Sequence, residues 1–173
     1  MNKLLPTPLT SERFKTYGNV IETKGVQPVS INQGNCQRFS NLADLDFDQT
    51  GVSGISLFVA NPYSNPYQLS YVERHPLGSQ AFLPMTSDPF LVLVANDLNG
   101  KPDKPEAFVT NGKQGVNYGR GVWHGVLTPI GLTSQPGQPS QAVHAQQFAV
   151  VDYIGAENNL EEYIFDKPYL VEF

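Results

Sequence analysis

Glu73, His75, Gln80 and His124 are the side chains of chemically useful type: an acid, two imidazoles and an amide among strand-forming residues. The first three fall in YVERHPLGSQAFLP, residues 71–84, where an acid, a base and an amide stand among strand-forming apolar residues beside a turn. Alternation along a strand over Tyr67–His75 puts Tyr67, Leu69, Tyr71, Glu73 and His75 on one face, and Gln68, Ser70, Val72 and Arg74 on the other. The first set begins apolar, so Glu73 and His75 are expected to point inward and Arg74 outward. After the turn Pro76-Leu-Gly-Ser79, Gln80, Phe82 and Pro84 share a face opposite that set. A carboxylate facing an apolar interior costs several kcal/mol unless it is compensated. Water, a metal or a ligand inside a barrel would compensate it. The plainer alternative is a structural pair in which Glu73 simply partners His75.

The elements that would position these groups are mostly strands. A short helix is expected over Thr10–Tyr17 (TSERFKTY), capped by Thr10 or Ser11 and closed by Gly18. The period then changes to two, and strands are expected at 19–22, 29–32, 36–40, 54–60, 67–75, 80–84, 90–96, 106–110, 114–118, 122–127 and 146–154. FLVLVA (90–95) is apolar throughout, as a strand buried on both faces would be. Asn111-Gly112 signals a tight hairpin, and GRGVWH (119–124) reads as a glycine-rich turn entering a strand with His124 near its start. His124 therefore offers a second imidazole to the same interior. A helical piece is expected near 158–164. The uncharged stretch 128–145 (TPIGLTSQPGQPSQAVHA) reads as a surface loop, or as a lid over a nearby site. His144, at its far end, is given no role.

Bulk properties agree with one mainly β domain spanning residues 1–173: 40% of residues are hydrophobic, with 15 Gly and 14 Pro. Many short strands at regular spacing imply a β-sandwich or barrel. A net charge of −5 without a basic cluster argues against nucleic acid as a partner. The single cysteine, Cys36, excludes an intramolecular disulfide and reads as a small buried hydrophobe rather than a nucleophile. No apolar run is long enough for a signal peptide or a membrane span, so a soluble cytoplasmic protein is expected. No dinucleotide or phosphate-binding loop is present, so no nucleotide or redox cofactor is expected.

Two motifs resemble the cupin superfamily. Glu73-x-His75-x4-Gln80 occupies the places of H-x-H-x4-E, and Gly119-x-Gly121-x-x-His124 those of P-x-G-x-x-H. Two of the four usual metal ligands are thus replaced, His by Glu73 and Glu by Gln80, and an amide is a poor ligand. Within that superfamily the chain is similar to the ureidoglycolate lyase family, long labelled ureidoglycolate hydrolases. The similarity is carried by LTSERFKTYGNVIE, INQGNCQRFSNLA, ERHPLGSQAF and AFVTNGKQGVNYGRGVWH. Gly119 and Gly125 depart from the pattern, standing where larger polar residues are expected.

The resemblance implies a jelly-roll barrel of the double-stranded β-helix type and a homodimer. It also implies a divalent metal, usually nickel, which Glu73, His75, Gln80 and His124 would hold. The implied reaction cleaves (S)-ureidoglycolate to glyoxylate and urea, late in allantoin breakdown. Glu73, His75 and His124 would supply the base and the acid. Arg38, mid-strand in CQRFS, would clamp the substrate carboxylate with its two-pronged guanidinium. Asn117 and Tyr118 would bind the urea or hydroxyl group, and Gln80 would be a further substrate-binding residue. An edge-strand surface position for Arg38, and hairpin packing for Asn117 and Tyr118, are the bland alternatives. Two further functions are open: an amidohydrolase releasing ammonia from the same substrate, and a non-catalytic cupin that binds a small carboxylate.

Overall fold

Short runs of β-branched and aromatic residues, separated by Gly, Pro and Asn turns, build two curled sheets that pack face to face. The computed structural model describes residues 2–131 and 144–173. The larger sheet has eight strands. Its path runs Asn2–Leu4, Glu161–Val171, Tyr67–Arg74, Trp123–His124, Phe90–Ala95, Glu106–Val109 and Thr7–Pro8, and Thr128–Pro129 also pairs with Phe90–Ala95. The smaller sheet has five strands, in the order Gly18–Ile21, Gly115–Tyr118, Gln80–Pro84, Gln146–Gly155 and Gly51–Ala60. This is the expected mainly β, jelly-roll type of architecture.

Between the sheets lies a core containing Phe82, Val116, Tyr118, Phe148 and Val150 from the smaller sheet and Phe90, Val92, Val94 and Phe108 from the larger. Burying a side chain of this size is worth about 1.5–3 kcal/mol. Leu91, Leu93 and Ala95 alternate with that set and pack in a second cluster with Leu69, Val72 and Trp123 on the other face. The six residues of FLVLVA are accordingly all buried, as their unbroken apolar run requires.

Two expectations need correction. No helix forms at 158–164; Glu161–Val171 is instead a strand, antiparallel to Tyr67–Arg74. Local Glu content favours a helix there, but Tyr163, Phe165 and Tyr169 pack on the second cluster, and the strand satisfies a row of backbone groups that would otherwise be open. The segment 122–127 is a strand only at Trp123–His124. Beyond it the Gly125 amide donates to Leu93 O at 2.8 Å, and a Cβ at Gly125 would sit 3.0 Å from that of Leu93.

The expected N-terminal helix contracts to Ser11–Phe14, with the Thr10 hydroxyl accepting from the Arg13 amide and Phe14 fully buried. No helix among the described residues is long and apolar enough to cross a membrane. Most of the expected loop or lid over 128–145 lies outside the described residues.

Candidate active site

Strand register brings the chemically active side chains together. His124 pairs with Glu73 on one side and with Val94 on the other, so these three share a face of the larger sheet. Val94 belongs to the inter-sheet core, which makes that face the interior. His75 follows directly after the Tyr67–Arg74 strand. Its Nδ1 donates to the carbonyl of Asn159 at 2.7 Å, while His124 Nδ1 donates to that of Gly125 at 3.0 Å. With both Nδ1 protons committed to carbonyls, each Nε2 must carry a lone pair. Both Nε2 atoms are buried and have no hydrogen-bond partner.

Glu73 stands with these two imidazoles. Its Oε1 is 3.9 Å from His75 Nε2, and one donor atom from each of Glu73, His75 and His124 lies within 4.8 Å of the other two. The two imidazole centroids are 5.2 Å apart, and Tyr118 stacks on His124 at 4.2 Å with an interplanar angle of 3°. Complete burial, assisted by the charge of His75, pushes the His124 pKa down to about 3, against the pull of the Gly125 carbonyl. His124 is therefore neutral near neutral pH. Burial pushes the Glu73 carboxyl up, opposed by His75 and assisted by Glu162. The Tyr118 phenol is pushed up by burial and by the Glu73 charge, so it stays protonated and able to donate.

The smaller sheet supplies the opposite wall. Tyr118 pairs with Gln80, so the two share a face. Gln80 is 8% exposed, and its Oε1 is buried without a partner. Asp152 was not singled out by the sequence reading. It continues the inward set Phe148 and Val150, and its neighbour Val151 pairs with Ala81, which places it beside Gln80. Burial raises the Asp152 carboxyl, opposed by the Gln80 amide and by His75. Alternation along Gln146-Gln-Phe-Ala-Val-Val-Asp152 is the signal that could have found it. Nothing local in the sequence marks Asn159 as the acceptor for His75.

The expected face of the Tyr67–Arg74 strand is met only in part. Tyr67 and Leu69 pack in the second cluster with Val72, not beside Glu73. Alternation resets near Ser70, where the partner strand shifts register between Ile164 and Tyr169. Arg74 turns away from the site as expected, its guanidinium 4.4 Å from the Trp123 ring centroid and paired with Asp97 and Glu161.

Glu73, His75, His124, Gln80 and Tyr118 are thus brought together. Asn117 is not, because its amide points to the other side of the strand and donates to Asn19 Oδ1 and Asp44 O. Arg38 is exposed on a separate hairpin of Val29–Ile31 and Cys36–Arg38. Among the described residues, no lysine or arginine side chain hydrogen-bonds to the Glu73–His75–His124 group.

Two nitrogen donors and one carboxylate oxygen, with both Nε2 lone pairs unclaimed, fit a divalent ion of borderline softness. The same groups can move a proton.

Similarity to known proteins runs along nearly the whole chain. The model of the family described as "Ureidoglycolate lyase" matches residues 1–172. A ureidoglycolate lyase of Rhodobacter capsulatus is 49% identical over 172 residues, covering 99% of both chains. One of Chelativorans sp. is 45% identical over 98% of this chain and 96% of its own, and ureidoglycolate lyase 2 of Rhizobium meliloti is 44% identical over 96% and 95%. With near-complete coverage in both directions, the chain belongs to the ureidoglycolate lyase family.

Proposed function

We propose that the chain is a single-domain ureidoglycolate lyase that cleaves (S)-ureidoglycolate to glyoxylate and urea, a late step of allantoin breakdown. The observation that carries this reading is the pair of buried, unpartnered imidazole Nε2 atoms beside Glu73, in a chain matched end to end by enzymes of that name.

The reaction needs no net proton. The substrate carries a hydroxyl and a ureido nitrogen on one carbon. When the hydroxyl proton is lost, the O–H electron pair left on oxygen forms the second bond of the aldehyde carbonyl, and the C–N electrons leave with nitrogen. Returning the same proton to that nitrogen completes urea. One imidazole can carry it both ways. His124, held near a pKa of 3, is too weak a base near neutral pH. His75 Nε2 has its lone pair free, and the Glu73 carboxylate at 3.9 Å stabilises the imidazolium that forms. His75 therefore takes the shuttle, Glu73 supports its charged form, and His124 acts as a neutral acceptor fixed by Tyr118.

A second use of the same atoms is favoured by their convergence. Glu73, His75 and His124 would hold a divalent ion. Bound there, it would draw electron density from the substrate hydroxyl and ease loss of its proton. The two uses compete for His75 Nε2, and chelation separates them. Activity that survives a chelator assigns the shuttle to His75; activity lost and then regained with added divalent metal assigns that lone pair to the ion. The carboxylate clamp remains proposed for Arg38, and Asn117 is proposed to act by bracing the strand that carries Tyr118.

The working unit is proposed to be a homodimer. The Gly51–Ala60 strand forms one edge of the smaller sheet, and its Ile55, Leu57 and Val59 are 79%, 69% and 67% exposed. A long apolar edge with open backbone groups is a template for a second strand, and antiparallel pairing across a two-fold axis matches it to itself.

The reaction is tested by following glyoxylate, urea and ammonia together from racemic ureidoglycolate. Urea equal to glyoxylate and above the spontaneous rate supports the lyase. Ammonia in place of urea makes the protein an amidohydrolase, and no product above background leaves a carboxylate-binding cupin.

A further inference from the structure

We propose that Asp152 and Gln80 form the surface that recognises the ureido group, receiving N–H donors from the substrate and the departing urea. This inference rests on the lyase reading and adds to it a residue that selects the substrate. Two buried oxygens on this wall have no donor, Asp152 Oδ1 and Gln80 Oε1. They belong to neighbouring strands, on a face shared with Tyr118, and stand across from the imidazole pair. A buried acceptor left unpaired carries its full desolvation cost, so such a pair calls for a ligand rich in donors.

The class of ligand follows from the chemistry of the wall. Both open atoms are acceptors, which excludes another carboxylate or a phosphate facing them. The Asp152 carboxyl can receive two parallel N–H bonds, one from each nitrogen of a urea, as it would from a guanidinium. Gln80 Oε1 can receive a third. Strand register sets the Gln80 side chain beside Asp152, and its Oε1 is the amide atom found buried without a donor. The hydroxyl-bearing carbon is then left facing His75 on the other sheet. A purely structural Asp152 would buttress Gln80 without touching any ligand.

The test measures binding rather than turnover. Urea and, separately, glyoxylate are titrated into wild-type protein and into Asp152→Ala and Asp152→Asn, with heteronuclear NMR shifts read at each addition. Urea affinity is expected to fall about tenfold or more in Asp152→Ala, and less in Asp152→Asn, which keeps one carbonyl oxygen but loses the charge. Glyoxylate affinity is expected to hold in both.

Urea affinity that is unchanged in both variants overturns the proposal. So does a loss shared equally by glyoxylate, which would mark a structural defect, and so does wild-type protein that shows no urea binding. Asp152→Asn preserves volume and carries the comparison if the alanine variant melts. Failure of the lyase reading looks different: wild-type protein that binds urea through Asp152 yet never releases it from ureidoglycolate keeps this surface and loses the reaction.

Discussion

His75 and His124 each give their Nδ1 proton to a backbone carbonyl, and that commitment frees both Nε2 lone pairs for substrate or metal. Removing one is expected to lower kcat by about 10²–10⁴ in His75→Ala, measured as glyoxylate release above the spontaneous rate. A variant at the wild-type rate would take His75 out of the chemistry. The buried His124 also couples stability to pH. Its folded pKa of about 3 lies below its ordinary 6.5, so the unfolded chain takes up a proton that the folded one refuses. The stabilising contribution is complete above the ordinary value and is lost as pH falls towards 3.

Glu73 and Asp152 are raised by burial, so they act in the opposite sense and gain stability as they protonate. In chelator-treated protein, Tm is expected to drop between about pH 7 and pH 5, and His124→Gln to drop less. Equal slopes in the two proteins would contradict a neutral, buried His124.

Strands decide which of these residues meet. Glu73 and Gln80 were legible as inward-facing because two-residue alternation holds locally around each, Glu73 lying opposite His124 and Gln80 opposite Tyr118. Tyr67 and Leu69 were misplaced because a register shift in the partner strand cannot be read from their own alternation. The C-terminal strand was missed for a related reason: pairing with Tyr67–Arg74 outweighs a locally helical composition. Gly18 shows how tightly the site's strands are seated. At φ +140 it pairs with Tyr118, and a Cβ there would lie 1.9 Å from Asn117 O. Gly18→Ala is expected to cost at least about 2 kcal/mol, read from the denaturant midpoint. A wild-type midpoint would show that the strand can shift. At the sheet edge, Leu57→Asp is expected to halve the mass seen in sedimentation, and an unchanged mass would move the dimer contact elsewhere. Arg38→Ala is expected to raise KM with little effect on kcat; an unchanged KM removes that residue from carboxylate binding.

At the level of the molecule, two sheets with their interior faces opposed give the site its two walls. The larger sheet brings Glu73, His75 and His124, and the smaller brings Tyr118, Gln80 and Asp152. Barrel architecture and the imidazole wall could be inferred from strand spacing and from the two motifs. The smaller sheet's contribution could not be inferred in full, because Asp152 lies more than seventy residues from Gln80 and only pairing in three dimensions joins them. The central claim is that this enclosed pair of imidazoles cleaves the carbon–nitrogen bond. It is tested most directly by measuring urea and glyoxylate released from ureidoglycolate by wild-type protein and by the folded His75→Ala, His124→Gln double variant in one experiment. The account predicts equal urea and glyoxylate from the wild type and only the spontaneous rate from the double variant. A double variant that keeps pace with the wild type would contradict it.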